Sequence, residues 1–433
     1  MRPLRIGSAS ETRAPVLDTV NIYYEGWGER WLWGTLVRTR RVTSRPVTVF
    51  EYSSEALSRN IELSSHRLPL KQKTTKGFPI HQLELPGPAY DALPDGWGML
   101  LMERLFRKRQ LSPASIGPLE RLAYVGNNAL GAMTFEPVAP EGMESDQHVS
   151  LESLASGVQE VMRGEGGEYL EMLMQVGGSP QGARPKALVY RDPLTLEFTT
   201  AHIPGYEPWL VKFPAKSEHP EVCAIESVYA HCLRLCDVQT PDSLHFHLPG
   251  GHAAFASKRF DRLHDMRIPV QSLASFTGAD YQVPGSLNYQ NFLRATHLCT
   301  RDIRQKAVAF ERALFNVVFN NRDDHTKNFS YRMDQAGNWQ LSPAYDVTYC
   351  TGPGGWHQMD VCGEALNIGR EQMMQLAAEA DLTTQAASEL IEKMGAVASR
   401  FTSIAAELHK GAIQKETLQE IQRQIDANLA RLR

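Results

Sequence analysis

No cysteine pair of C-x-x-C spacing, no apolar run near the ~20 residues of a membrane span and no large excess of one charge occur in this 433-residue sequence. Its six cysteines, Cys223, Cys232, Cys236, Cys299, Cys350 and Cys362, lack the compact His/Cys spacing of a zinc site. Cys232 and Cys236 stand one helical turn apart in an apolar pattern, where cysteine behaves as a small buried hydrophobe. A cytoplasmic, reducing compartment follows as the expectation. The net charge of −4 gives no global pull toward nucleic acid or membrane, so no membrane partner is expected. The opening stretch MRPLRIGSASETRAPVLD is basic in places but has no apolar core of a signal peptide. No Gly-Lys-Ser/Thr ending completes a Walker A loop, and no proline follows Pro353.

What is present is an ordinary globular composition, 42% apolar and 22% charged, in a chain long enough for two or three domains. Residues 1–18 read as a polar lead-in. Val20–Tyr24, Trp31–Val37 and Val47–Tyr52 are β-branched and aromatic, with Gly, Arg and Pro between them, and predict strands. The Leu57–Leu70 stretch is expected to extend that small sheet. Leu93-Pro-Asp-Gly96 is a turn, and Trp97–Gln110 is a helix whose last turn, Arg107-Lys-Arg109, complements the helix dipole. Ala139–Gln147 is polar and Pro/Gly-bearing, a domain boundary. A helix follows near Leu151–Arg163.

Val176-Gly-Gly-Ser-Pro-Gln-Gly-Ala-Arg-Pro-Lys186 places three glycines and two cations ahead of an apolar strand, a composition that lets backbone N–H groups approach an anion. Trp209–Phe213 is a strand with Lys212 inside it, and Glu226–Leu235 an amphipathic helix that could supply the carboxylate partner of such a lysine. An exposed turn and a solvent-facing lysine are the plainer readings of the same residues. Phe255–Phe260 predicts another strand. Asp302–Phe319 carries Phe310, Leu314, Val317 and Val318 at helical spacing. It delivers Asn321-Arg-Asp-Asp-His-Thr-Lys-Asn328, in which the Asp323-to-Asn328 spacing matches a protein-kinase catalytic loop. A turn-rich hairpin then returns the chain to Ser342-Pro-Ala-Tyr-Asp346. From about Arg370 to Arg433 the texture is helical, with Gly395 and Gly411 as interruptions.

Taken together, Trp33-Gly-Thr-Leu-Val37, Leu93-Pro-Asp-Gly-Trp97, Ser179–Lys186, Leu210-Val-Lys-Phe-Pro214, Arg259-Phe-Asp-Arg262, Asp323-x-His-x-Lys-Asn328 and Pro343-x-Tyr-Asp346 occur in an order that resembles the HipA family of serine/threonine kinases. These are the toxin halves of HipBA-type toxin–antitoxin pairs, and the resemblance spans roughly residues 20–430. It implies an α+β, protein-kinase-related fold with a β-rich N-terminal subdomain (19–140), a nucleotide-binding α/β lobe (150–265) and an all-helical C-terminal lobe (266–433). It also implies ATP and Mg²⁺ as cofactors. Asp323 would be the catalytic base, supported by His325, and Asn328 and Asp346 the metal ligands. Gln181, Gly182, Ala183, Arg184, Pro185, Lys186 and Lys212 would line the phosphates. Lys258, Arg259 and Phe260 would stand at the adenine edge. His325, Thr326, Lys327, Asn328, Tyr345 and Asp346 would complete the nucleotide set. Ser179 falls at the family's inhibitory autophosphorylated serine.

The expected reaction is phosphorylation of a protein hydroxyl, with an aminoacyl-tRNA synthetase or another translation component as the substrate class. A HipB-like antitoxin is the expected partner, with DNA reached only through it. Two other readings stay open on the residues alone. One is a kinase-fold binding module acting as co-repressor with a DNA-binding antitoxin; the other is a metal-dependent nuclease whose clustered aspartates and His325 hold two metals.

Overall fold

Alternation decides the first sheet. In β1 (Thr19–Tyr24) the residues Val20, Ile22 and Tyr24 point inward, and β2 (Trp31–Arg41) adds Trp31 and Trp33 to the same core. The computed structural model describes residues 16–41, 44–139, 149–164, 169–177, 182–216 and 218–433. Residues 1–15 of the lead-in and 140–147 of the expected boundary therefore lie outside the described residues. β3 (Ser44–Tyr52), the short helix α1 (Ser54–Arg59), β4 (Thr74–Lys76), α2 (Gly87–Ala92), α3 (Gly96–Lys108), α4 (Pro118–Val125) and β5 (Met133–Glu136) complete the N-terminal unit. Its sheet is antiparallel in the order β4-β3-β2-β1-β5. The expectation that Leu57–Leu70 extends this sheet is corrected: helix α1 and turns occupy that stretch, and the added strand is β4. Leu63 and Leu68 are buried there as loop residues, so their hydrophobicity reports packing rather than strand pairing.

The second unit begins with α5 (Leu151–Arg163) and α6 (Tyr169–Gly177), followed by β6 (Lys186–Arg191), β7 (Phe198–Thr199), β8 (Glu207–Lys212), α7 (Glu221–Leu235), β9 (Ser243–Leu248) and β10 (His252–Lys258). The five strands form an antiparallel sheet in the order β7-β6-β8-β10-β9, with β8 at its centre. Trp97 and Leu101 of α3 share a core with Ala187, Val189, Trp209 and Val211 of this sheet, so the N-terminal unit is packed directly onto it.

Two short hairpin strands, β11 (Arg262–Leu263) and β12 (Met266–Arg267), precede β13 (Val270–Ser272), α8 (Leu273–Thr277), α9 (Tyr289–Thr300), α10 (Arg304–Val318), β14 (Ser330–Met333), β15 (Trp339–Leu341), α11 (Arg370–Glu379), α12 (Thr384–Ala398), α13 (Phe401–Leu408) and α14 (Lys415–Leu432). The helical lobe thus carries one small sheet, β13-β14-β15. Its core takes in Ala224, Val228, Tyr229 and Cys232 from α7, which also packs Cys223 and Ala230 on Phe255 of β10. Helix α7 is therefore shared by the two lobes. Cys232 and Cys236 are buried thiols in this core. Gly411 does lie between helices, but Gly395 does not interrupt: α12 runs through it. Among the described residues no helix is long and apolar enough to cross a membrane.

Candidate active site

A cavity of about 740 Å³ opens where the three units meet. Asp95 and Gly96 of the N-terminal unit border it, with Gly182, Ala183, Arg184, Lys186 and Lys212 of the sheet, and Asp323, His325, Lys327, Asn328, Tyr345 and Asp346 of the helical lobe.

Lys212 ends the central strand and sits beside Lys186 on one side and Phe255 on the other. Its Nζ donates to Glu226 Oε1 at 2.5 Å and to Asp346 Oδ1. Burial works against its charge, but Asp346 and Glu226 outweigh that and hold the ammonium above its ordinary pKa. Burial works against the Asp346 charge as well, by raising its pKa, but Lys212 and Lys186 outweigh it and pull the carboxyl well below the usual range. Lys186 is less well compensated. Burial, with Asp346 opposing and Lys212 adding repulsion, brings it down to about 8. Glu226 is shared: its second oxygen takes Arg184 Nη1 at 3.4 Å, while Arg184 Nε reaches Glu218 at 2.9 Å.

Helix α10 ends at a left-handed Asn320 (φ 55°), and the chain turns into the cavity. Cys350 N donates to Asn320 O and Arg322 N to Cys350 O, both at 3.2 Å, which pins the loop to the segment after Asp346. The two adjacent carboxylates then part company. Asp323 opens onto the cavity; Gln358 Nε2 donates to its Oδ1 at 2.9 Å, and His325 Nε2 stands 3.7 Å from the same oxygen, beyond hydrogen-bond distance. Burial lifts its pKa above the usual range, with His325 opposing and Asp346 adding. Asp324 turns into the core, where it accepts from Tyr289 Oη at 2.7 Å and Gln358 N at 2.7 Å, and His357 Nδ1 lies 2.8 Å away.

Asn328 donates through Nδ2 to the Asp323 carbonyl at 2.6 Å, which leaves Oδ1 as its open acceptor. The β14–β15 hairpin pairs Tyr331 with Leu341 and returns the chain. Tyr345 Oη then donates to the Lys327 carbonyl at 2.7 Å. Asp346 follows in a left-handed conformation (φ 55°), a strain of about 1–2 kcal/mol per residue that the surrounding contacts must hold. An amide oxygen and a carboxylate facing one cavity are hard donors suited to Mg²⁺, which takes one or two protein oxygens together with substrate phosphates. The residues fit that ion.

Of the remaining expected site residues, Ser179 and Gln181 lie outside the described residues. Pro185 does not line the cavity; its carbonyl accepts from Phe213 N at 2.9 Å. Lys258 pairs with Glu207 at 2.5 Å. Arg259 borders the cavity, but its guanidinium is held by Asp261 at 2.8 and 2.7 Å. Phe260 leans on Tyr345 with ring centroids 5.4 Å apart. His325 accepts at Nδ1 from Lys327 N at 3.2 Å. Thr326 is buried and off the cavity wall. Lys327 directs its ammonium to Asp95 at 2.9 Å, between the rings of Tyr90 and Tyr281. Sequence reasoning missed Asp95 and Gln358. Neither carries a local signal, since each meets its partner across a long stretch of chain.

Two family models match this sequence. One described as the HipA-like C-terminal domain matches residues 178–401, and one described as the HipA N-terminal domain matches residues 27–136. Among solved structures, HipA from the Shewanella oneidensis complex of HipA, HipB and operator DNA is similar at a TM-score of 0.66 with 18% identity, covering 95% of this chain and 96% of its own. The Helicobacter pylori proinflammatory kinase CtkA gives a TM-score of 0.39 with 14% identity, over 52% of this chain and 85% of its own. No curated protein matches the sequence.

Proposed function

The chain belongs to the HipA family, and from that premise we propose that it is an ATP- and Mg²⁺-dependent serine/threonine protein kinase, the toxin of a toxin–antitoxin pair. The observation that carries this reading is the position of Lys212, which bridges Glu226 and Asp346 in the cavity that also receives Asp323 and Asn328. When bound, Mg²⁺–ATP supplies the transferable phosphoryl group and a cation that spreads its charge. Asn328 and Asp346 would hold the ion.

The chain's own residues do the rest. Lys212, Lys186 and the backbone from Gly182 to Arg184 neutralise and orient the phosphates. Asp323 takes the proton of the acceptor hydroxyl, and its raised pKa suits a base that must accept a proton. Gln358 fixes one of its oxygens, so the other is turned toward the acceptor. The nuclease reading loses support because Asp324, the third carboxylate of the cluster, faces Tyr289 and His357 instead of the cavity.

Ser179 is proposed as an autophosphorylated off-switch, because about two added negative charges would oppose the nucleotide phosphates. A HipB-like DNA-binding antitoxin is the proposed partner, and an aminoacyl-tRNA synthetase or another translation component the proposed substrate class. The test is direct. Asp323→Ala and Asp346→Ala are expected to fold yet lose transfer from γ-labelled ATP, and full activity in either overturns the assignment. Intact-mass measurement after incubation with Mg–ATP is expected to add one phosphate at Ser179.

A further inference from the structure

Two carboxylates on the cavity wall come from the N-terminal unit: Asp91 accepts from Ser272 N and Oγ at the start of α8, whereas the kinase reading leaves Asp95 without a task. Asp95 occupies the N-cap of α3, the position from which an aspartate normally accepts its own helix's N–H groups. It does not cap α3. Its Oδ1 accepts instead from Gly182 N, in the phosphate loop, and its Oδ2 from Lys327 Nζ, in the catalytic loop, at 2.9 Å.

The next two residues hold the same loop. Trp97 N donates to Gly182 O at 3.1 Å, and the Trp97 indole N–H donates to Lys186 O at 3.1 Å. Gly96 (φ 38°) lies so close that a Cβ there would stand 2.6 Å from Gly182 O and 2.7 Å from Ala183 Cα. The close backbone approach requires glycine. On the far side, the Lys327 ammonium is packed between Tyr90 and Tyr281, 4.7 and 4.3 Å from their ring centroids, and hydrogen-bonds to the Asp95 carboxylate.

We infer that Asp95-Gly96-Trp97 is a clamp in which the N-terminal unit sets the phosphate loop against the catalytic loop, with Asp95 as a positioning residue for nucleotide binding. Its consequence for phosphoryl transfer rests on the kinase reading; its consequence for loop order does not. A charge-assisted bond to each loop from one short side chain fixes their spacing. Sub-ångström placement of phosphate-binding groups is what nucleotide affinity depends on.

The full-length protein, Asp95→Asn, Asp95→Glu, Lys327→Met and Trp97→Phe would be compared by Mg–ATP calorimetry, amide exchange across 182–191 and steady-state kinetics. Asp95→Asn is expected to weaken Mg–ATP binding about tenfold and raise KM for ATP by a similar factor, the worth of one charge-assisted hydrogen bond. Exchange at the Gly182 amide should rise at least about tenfold, since the acceptor of that N–H is weakened. Asp95→Glu should recover part of the affinity. Adding Lys327→Met to Asp95→Asn should cost less than the two single effects combined, as expected for partners in one contact. A merely structural Asp95 would lower the melting temperature and the active fraction without moving KM. Asp95→Asn that is folded, binds Mg–ATP as tightly as the parent and leaves Gly182 exchange unchanged overturns the clamp. Should Asp95→Asn fail to fold, Trp97→Phe, which removes the indole N–H together with part of a buried ring, decides by the same two readouts, with its melting temperature measured alongside to separate lost packing from the lost bond. A parent protein that binds no Mg–ATP would end the kinase reading, while the exchange rates would still decide for or against the clamp.

Discussion

Lys212 Nζ lies 2.5 Å from Glu226 Oε1 with both side chains almost wholly removed from solvent. The pair ties the central strand β8 to α7, the helix that packs on β10 with one face and joins the helical lobe's core with another. The lysine's position is thus set jointly by the two lobes that border the cavity. Glu226→Gln keeps the side chain's shape and removes its charge. Asp346 still neutralises the ammonium, so the stability cost is expected at about 1–3 kcal/mol, below that of stranding a buried charge. Transfer from ATP is expected to fall about 10–100-fold because Lys212 is then drawn toward Asp346 alone. Urea unfolding and kinetics on the same preparation check both figures, and an unchanged rate would show that α7 does not set the lysine.

Adjacent aspartates in one sequence are expected to behave as opposites. Asp324 is fully buried and accepts from Tyr289 and from Gln358 N, with His357 against it. Asp324→Asn places an N–H₂ against those donors, and a loss of about 2–4 kcal/mol in urea is expected. Asp323→Asn, on the open cavity wall, should stay within about 1 kcal/mol of the parent and lose transfer activity. If Asp324→Asn proved as stable as the parent, the buried network would not be what orients the loop.

This pair also shows where reading the sequence stopped. The spacing to Asn328 singled out Asp323, but nothing local says where Asp324 turns; Tyr289 and His357, from α9 and the segment before α11, decide it. The strands were legible because alternation is local: Val20, Ile22 and Tyr24 are buried on one side of β1. So was the return of Asp346 through the β14–β15 hairpin, since turn chemistry is local too. The Asp95 contacts were not, because Gly182 and Lys327 are 87 and 232 residues away. Gly395 misled for a similar reason. A Cβ there would sit 3.3 Å from Leu429, so the glycine serves close packing of α12 on α14 instead of ending a helix.

A cluster of histidines away from the cavity gives the pH dependence. His245 and His247 project from the same side of β9, with ring centroids 4.6 Å apart, and His409, just past α13, lies 4.6 Å from His245. His231 of α7 also acts on His409. Burial first, then the neighbouring His409 and His247, push His245 down to about 4. The unfolded chain, with a histidine pKa near 6.5, therefore binds more protons than the folded one between pH ~6.5 and ~4. The contribution of His245 is complete above that window and is lost as pH falls through it. At about 1.4 kcal/mol per pH unit, discounted for partial exposure, the loss is about 2–3 kcal/mol. Asp346 and Asp95, whose pKa values are lowered in the fold, act only below the unfolded carboxylate range near pH 4. Carboxylates that burial holds above that range, Asp323, Asp91 and Glu311, act with the opposite sign, so a fall in stability between pH 6.5 and about 5 belongs to the histidines. His245→Phe is expected to flatten the urea midpoint across that interval, since it removes the proton that the unfolded state gains and leaves an apolar ring against Phe255, its partner in register on β10. A midpoint that falls as steeply in His245→Phe as in the parent would assign the effect to His409 and His231 instead.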